Sequence, residues 1–189
     1  AVLQGNILVD LYRSNPDGLD LDGNGKVSYV LLEGESSHQD SLIRTEWSIQ
    51  TLKDGGVPLE KLTGGIANWD RSQASALMEQ WMEEFPREIE LVICNNDEMA
   101  LGAADALERG GDTRPVKIVG IDGTPQGLEG LKTGKLFGTV QCDSEEYADV
   151  IFEIAAAESL GQNVQDKVEL KQGKYYQCSQ MALTSDSVR

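Results

Sequence analysis

The feature that most constrains the fold is an alternation of apolar, β-branched segments with amphipathic segments, repeated about every twenty to thirty residues. Each β-branched segment predicts a strand, and the segment after it predicts a helix. Parallel neighbouring strands need such helical crossovers, whereas antiparallel strands can be joined by short turns. We therefore predict an α/β fold with a doubly wound parallel sheet. The predicted strands are residues 26–33, 59–63, 89–94, 116–121 and 137–141.

Apolar residues at helical spacing predict the helices between these strands. The first predicted helix, residues 1–13, has no visible N-terminal signal and is preceded by neither a Met nor a signal peptide. We interpret the chain as a processed or truncated product. The other helices are predicted from about residue 40 to 52, 71 to 85, 97 to 108, 125 to 133 and 144 to 160.

Charge excludes two classes of partner. The 189 residues carry a net charge of −16 and have an isoelectric point near 4.3. Nucleic acid and anionic membranes would both be repelled by this charge. The cysteines, Cys94, Cys142 and Cys178, have no CxxC spacing, so they suggest neither a zinc site nor a full disulfide framework.

Residues 20–28 place an oxygen-bearing side chain at alternate positions around a glycine, which is the pattern of the first half of an EF-hand calcium loop. The EF-hand pattern fails where a bidentate Glu is expected and Leu31 stands. A distant carboxylate must then complete a calcium site, since calcium needs ~6 to 8 oxygens. An acidic turn without an ion is the alternative. The loop positions are Asp20, Asp22, Asn24, Gly25, Lys26 and Ser28.

Ligands of doubly wound sheets bind outside the carboxyl ends of the strands. The residues at these positions can donate and accept hydrogen bonds and include one indole, which suits a neutral polyol. Motifs for nucleophilic catalysis or phosphate binding are absent from the sequence. Helix capping by His38 and Asn96, and core packing by Trp69, are the structural alternatives. The strand-end residues are His38, Asp40, Arg44, Trp69, Asn96, Asp122, Cys142 and Asp143.

Taken together, these patterns resemble the bacterial galactose/glucose-binding proteins of the periplasmic sugar-binding superfamily. The resemblance covers the whole chain. It is carried by the acidic loop with the strand after it, by the His38-x-Asp40-x-x-x-Arg44 pattern, by Asn68-Trp69-Asp70, by residues 90–102 and by Gly120-Ile121-Asp122.

The resemblance implies the second lobe of a type I periplasmic-binding-protein fold, with most of the first lobe absent. Residues 1–142 would be the sugar- and calcium-binding lobe, 143–178 a crossover segment of the first lobe, and 179–189 the return to the second lobe. It also implies a non-enzymatic, extracytoplasmic component of an ABC sugar importer, in the periplasm or as a surface lipoprotein. Galactose or glucose would be the ligand, and an ABC permease and a chemoreceptor the partners.

The resemblance also assigns site residues. Cys142 stands where the family has a sugar-binding Asn, and Ser28 where it has a Gln. A thiol is a poor partner for a hydroxyl, so the first departure bears on the identity of the sugar. The implied sugar contacts are His38, Asp40, Arg44, Trp69, Asn96, Asp122 and Cys142. The implied calcium ligands are Asp20, Asp22, Asn24, the Lys26 carbonyl, Ser28 and Glu90.

Two other functional classes compete with this interpretation. The effector-binding core of a sugar-responsive transcription repressor resembles the same fold, although the acidic charge and the metal loop oppose it. An enzyme acting on sugars would need an acid/base pair, and the spacing of Asp40 and Asp122 does not support one. An apolar stripe from Tyr147 to Ala155 also predicts that residues 143–178 are poorly ordered or packed on another copy, so that the fragment self-associates.

Overall fold

The structure is a computed structural model that describes residues 1–187. The chain separates into two compact units. The first contains Ala1–Gln141 and the C-terminal segment from Ala182, and the second is Cys142–Met181. The proposed division of the chain between two lobes stays a prediction. Residues 188 and 189 of the predicted return segment lie outside the described residues.

The main feature of the first unit is a six-stranded sheet in the order β2-β1-β3-β4-β5-β6. Strands β1 to β5 pair in parallel, as the alternation predicts. The last strand was not predicted. It runs antiparallel to β5, because Ser185 N donates to Phe137 O and Asp143 N donates to Ser179 O. The strands are β1 Val27–Glu33, β2 Leu59–Ile66, β3 Leu91–Cys94, β4 Lys117–Val119, β5 Gly138–Cys142 and β6 Gln180–Thr184.

Helices of the first unit cover both faces of its sheet, which confirms the predicted fold class. The helices are α1 Val2–Ser14, α2 Gln39–Asp54, α3 Arg71–Glu84, α4 Asp97–Arg109, α5 Pro125–Thr133 and α6 Ser144–Ser159. Alternate side chains of β1 enter different cores, because successive residues of a strand point to opposite faces. Val30 and Leu32 pack with α3 and α4, and Leu31 packs with α1 and α2. The predicted burial of β1 on both faces is confirmed.

The second unit has little apolar core of its own. It contains α6 and a short 3₁₀ helix, Val164–Asp166. Asp143 caps α6 by accepting hydrogen bonds from the backbone N–H groups of Glu145 and Glu146. Within this unit, the apolar side chains classed as buried among the described residues are those of Ala157 and Val168.

Candidate functional site

The strand order creates a topological switch point at the carboxyl-terminal end of the sheet. The chain leaves β1 toward β2 on one side, and toward β3 and β4 on the other. Crevices of this kind open at the carboxyl ends of the strands and bind ligands. His38, Asp40 and Arg44 follow β1, while Trp69 follows β2. Asn96 and Asp122 follow β3 and β4, so the topology brings these six residues to one edge.

Arg44 connects the groups at this edge. Its Nη1 atom donates to the Asp122 carboxylate at 2.9 Å and to the backbone carbonyl of Asn95 at 2.7 Å. The guanidinium carbon lies 5.6 Å from the centre of the Trp69 ring, within cation–π range. One side chain therefore holds a charged acceptor and an aromatic face next to each other.

The Trp69 ring is held in place by close backbone contact and by strain. A Cβ atom at Gly34 would lie 2.2 Å from the Trp69 ring, so only glycine allows this approach. Asn68 and Trp69 both have positive φ angles, 51° and 64°, which is unusual for a bulky residue. Strain of this kind is concentrated at binding sites. His38 contacts the indole edge-on, with the ring centres 5.3 Å apart.

The structure also shows the capping roles that were the structural alternatives for His38 and Asn96. His38 Nδ1 accepts from the Asp40 N–H and caps α2, while Asn96 Oδ1 caps α4 through the Met99 N–H. Asn96 Nδ2 additionally donates to the Trp69 carbonyl at 3.2 Å. Trp69 packs partly against the core.

Asn95, which we did not predict as a site residue, supports the site from below. It is fully buried, and its Oδ1 accepts from Gly34 N and Ser41 Oγ, both at 3.0 Å. Its Nδ2 donates to Thr45 Oγ1 at 3.1 Å. These bonds fix the start of α2 and the backbone under Trp69. The sequence signal was a second amide beside the cap Asn96, a position that a capping role does not explain.

Asp122 has a strained backbone and a perturbed carboxyl group. Its φ angle of 117° is in the region that disfavours residues with a side chain. Burial raises the pKa of Asp122, and Asp40 adds to the rise, while Arg44 opposes it. Asp40 therefore also contributes to the electrostatics of this edge.

Asp97 holds the loop that carries Asp122. Its backbone N–H donates to the Ile121 carbonyl at 2.9 Å, and its carboxylate accepts from the N–H of Thr124 at 2.8 Å and the hydroxyl of Thr139 at 2.5 Å. A Cβ atom at Gly120 would lie 2.3 Å from this carboxylate. Burial raises the pKa of Asp97 to about 6, although the hydrogen bonds from Thr139 and Thr124 oppose the rise.

This shift predicts a stability gain in mild acid. The unfolded pKa of an Asp is about 3.9, so the folded state binds the proton more tightly between about pH 4 and 6. Lowering the pH from 7 to 5 should increase the Asp97 contribution to the free energy of unfolding by about 1 kcal/mol. Urea denaturation at both pH values should show this gain in the wild type and lose it in Asp97→Asn. The control variant Asp149→Asn, which changes an exposed residue, should keep the stability gain. An unchanged gain in Asp97→Asn would show that Asp97 is not its source.

Cys142 is the one predicted sugar contact outside the first unit. It ends β5 and belongs to the second unit. Its Sγ atom accepts from Gln180 Nε2 at 3.7 Å. The structure therefore brings six of the predicted contacts together and assigns the seventh to the other unit.

The acidic loop brings three carboxylates together. One oxygen each of Asp20, Asp22 and Glu90 lies within 4.8 Å of the others. Lys26, the cation of the loop, pairs instead with Glu60 at 2.9 Å. Asp20 accepts from the backbone N–H groups of Asn24 and Gly25, which wraps the loop around its own side-chain oxygens.

Glu90 is buried and comes from a distant part of the chain. Its Oε1 accepts from the N–H of Leu21 at 2.6 Å and from that of Asp22 at 3.1 Å. Its Oε2 accepts from the N–H of Ser28 at 2.7 Å. Glu90, which the resemblance assigns as the remote carboxylate, therefore lies beside the loop.

The sequence is similar to those of known periplasmic binding proteins. The sequence is 34% identical over 173 residues to the D-galactose/methyl-galactoside binding periplasmic protein MglB of Haemophilus influenzae, covering 90% of this chain and 51% of that protein. It is 36% identical over 107 residues to the ribose import binding protein RbsB of Salmonella typhimurium, covering 56% of this chain and 36% of that protein. The chain thus spans about half or less of the length of these relatives.

Solved structures show the same fold. A solute binding protein of an ABC transporter from Bacillus halodurans, with bound myo-inositol, superposes with a TM-score of 0.78 at 28% identity. The alignment covers 100% of this chain and 60% of that one. Among residues 1–187, no helix is long and apolar enough to cross a membrane. The profile of the periplasmic binding protein domain matches residues 1–163, and the chain belongs to that family.

Proposed function

We propose that this chain is part of an extracytoplasmic monosaccharide-binding protein that serves an ABC importer. The observation that carries the proposal is the arrangement of Trp69, Arg44 and Asp122 at the switch point of the sheet, with two of the three residues in strained backbone conformations. The names of the relatives are those of binding proteins, which favours binding over catalysis.

Each residue has a role that its chemistry allows. The Trp69 face covers an apolar face of a pyranose ring, and the Asp122 carboxylate accepts hydrogen bonds from hydroxyls. Arg44 donates to sugar oxygens with a guanidinium already oriented by Asn95 and Asp122. His38, Asp40 and Asn96 complete the polar rim, and Cys142 is the further contact that the resemblance implies.

Galactose or glucose is the proposed ligand, because the resemblance and the Haemophilus relative both point to a hexose. Other relatives are named for xylitol, ribose and allose, so a panel is the appropriate test. Thermal-shift measurements on the protein that contains this chain, with galactose, glucose, ribose, allose and myo-inositol, should show the largest stabilisation with galactose or glucose. Stabilisation by neither of these two sugars would refute the proposed ligand. The permease and a chemoreceptor are the proposed partners.

A structural calcium ion is proposed for the acidic loop. Calcium prefers carboxylate and carbonyl oxygens, and the three clustered carboxylates have no cation of the loop beside them. The residues fit the ion, because the remote Glu90 is buried against the loop backbone. Bound there, calcium would neutralise the repulsion between these carboxylates. The proposed ligands are Asp20, Asp22, Asn24, the Lys26 carbonyl, Ser28 and Glu90.

Self-association of the chain is a further prediction. Tyr147 and Ile151 of α6 are exposed by 58% and 50%, and such an apolar face favours contact with another copy. Light scattering coupled to gel filtration should show dimers or larger species that Ile151→Glu shifts to monomer. Gln162→Glu adds the same charge at an exposed position of the same unit, and the dimers or larger species should persist in this variant. A wild-type monomer at all concentrations would contradict the prediction.

A further inference from the structure

Two cysteines lie close to the points where the chain passes between the two units. The chain enters the second unit at Cys142 and leaves it after Met181. Cys142 ends β5, and Cys178 comes two residues before β6. Both side chains are partly buried, whereas Cys94 lies in β3 and is fully buried. Neither the proposed function nor the family resemblance assigns a role to Cys178.

The register of the strands places Cys142 and Cys178 on the same side of the ladder. Asp143 N donates to Ser179 O at 3.2 Å, and Gln180 Nε2 donates to Cys142 Sγ at 3.7 Å. Cys142 is therefore opposite Gln180, and Cys178 is its diagonal neighbour.

Diagonal neighbours are roughly 7–8 Å apart, with the Cβ atoms somewhat closer. A disulfide needs Cα atoms within about 7 Å of each other. Cys178 precedes β6 and lies one residue before Ser179, whose carbonyl accepts from Asp143 N, so a small movement would bring the sulfurs together. Their proximity is also seen in the pKa of Cys178, which is raised by desolvation first and then by Glu146, Cys142 and Asp143.

The second unit has few buried apolar side chains. It spans Cys142–Met181, and Ala157 and Val168 are its buried apolar side chains within the described part of the chain. Domains of about 40 residues or fewer usually need a disulfide, a metal or a partner to fold. A bond between residues 142 and 178 would close a loop that contains almost the whole unit. Closure of a long loop removes entropy from the unfolded chain.

We propose that Cys142 and Cys178 form an intramolecular disulfide when the protein is in an oxidising compartment. A small-molecule disulfide such as oxidised glutathione is the oxidant. The thiolate of one cysteine attacks it, releases one glutathione thiolate and forms a mixed disulfide. The second cysteine thiolate attacks the protein sulfur of that mixed disulfide and releases the other glutathione thiolate. Two thiols thus lose two protons and two electrons, and one glutathione disulfide becomes two molecules of glutathione.

Peptide mapping tests the proposal on the 189-residue chain. The protein is equilibrated with oxidised and reduced glutathione, free thiols are alkylated under denaturing conditions, and trypsin is added. The expected result is a peptide pair that joins residues 136–167 to residues 175–189 and separates on reduction, with Cys94 alkylated in residues 88–109. Separate alkylated peptides, a link through Cys94 or a link between two chains would overturn the proposal.

A thermal measurement checks that the bond forms within the folded protein. The oxidised wild type should melt about 5–10 °C above the reduced wild type, in the transition that includes the second unit. Cys142→Ser and Cys178→Ser should melt at the same temperature with and without reductant. The proposal would be refuted if reductant still lowered the melting temperature of both variants, or if it did not lower that of the wild type. Neither outcome depends on sugar binding, so the test is independent of the proposed function.

Discussion

Chelation of calcium is expected to lower the melting temperature of the 189-residue chain by about 5–10 °C. Free calcium at a hundred times its dissociation constant adds ~2.7 kcal/mol to the free energy of unfolding, by mass action. For a chain of this size each kcal/mol corresponds to ~2–4 °C. The proposed ligands all lie within the first unit, in residues 20–28 and at Glu90. The ion should therefore bind without any further part of a longer protein.

Glu90→Gln should remove this response, because Glu90 is the carboxylate that the loop lacks. Scanning calorimetry with calcium and with chelator measures the difference for each variant. Glu60→Gln is the matched control: it removes a carboxylate that pairs with Lys26 of the loop but is not near Asp20 and Asp22 in the cluster. A calcium response that survives in Glu90→Gln, or that is absent from the wild type, would show that the loop is an ordinary acidic turn.

Arg44→Ala is expected to weaken monosaccharide binding by about a hundredfold or more in the protein that contains this chain. Hydrogen bonds to charged groups contribute ~1.5–3 kcal/mol each. The substitution removes the guanidinium donor and also leaves Asp122 without its partner. The pKa of Asp122, already raised by burial, would rise further because Arg44 is the group that opposes the rise.

The control is Arg71→Ala, which removes another arginine that pairs with a carboxylate. Arg71 pairs with Asp105 at 2.6 Å, whereas the partner of Asp122 is Arg44. The Arg71→Ala variant should bind sugar with the affinity of the wild type. Equal loss in both variants would indicate a general effect on stability, and wild-type affinity in Arg44→Ala would place the sugar elsewhere.

The alternation of strands and helices was sufficient to predict the parallel part of the sheet. The strand at residues 27–33 is mostly apolar because both of its faces are buried, and its burial could therefore be predicted from its sequence. The strand Gln180–Thr184 could not be recognised in the same way. It lies at the edge of the sheet, its first three residues are exposed, and its partner is antiparallel.

The candidate site was predictable where the chemistry is at the strand ends. His38, Arg44, Trp69 and Asp122 were found because parallel strands bring their carboxyl ends to one edge. Asn95 and Asp97 were missed as supporting residues because their roles depend on bonds to distant segments. Asn95 bonds to Gly34 and Thr45, and Asp97 to Thr139, and no local pattern encodes these contacts.

Isothermal titration of galactose and glucose tests the central claim most directly. It should be carried out both on this chain and on the longer protein that contains it. The ligand of a closed cleft has most of its surface buried, so a chain that supplies one wall should lose about half of the contacts. We expect single-site binding to the longer protein and none tighter than about millimolar to the 189 residues alone. Micromolar binding by the isolated chain, or no binding of either sugar to the longer protein, would contradict the account.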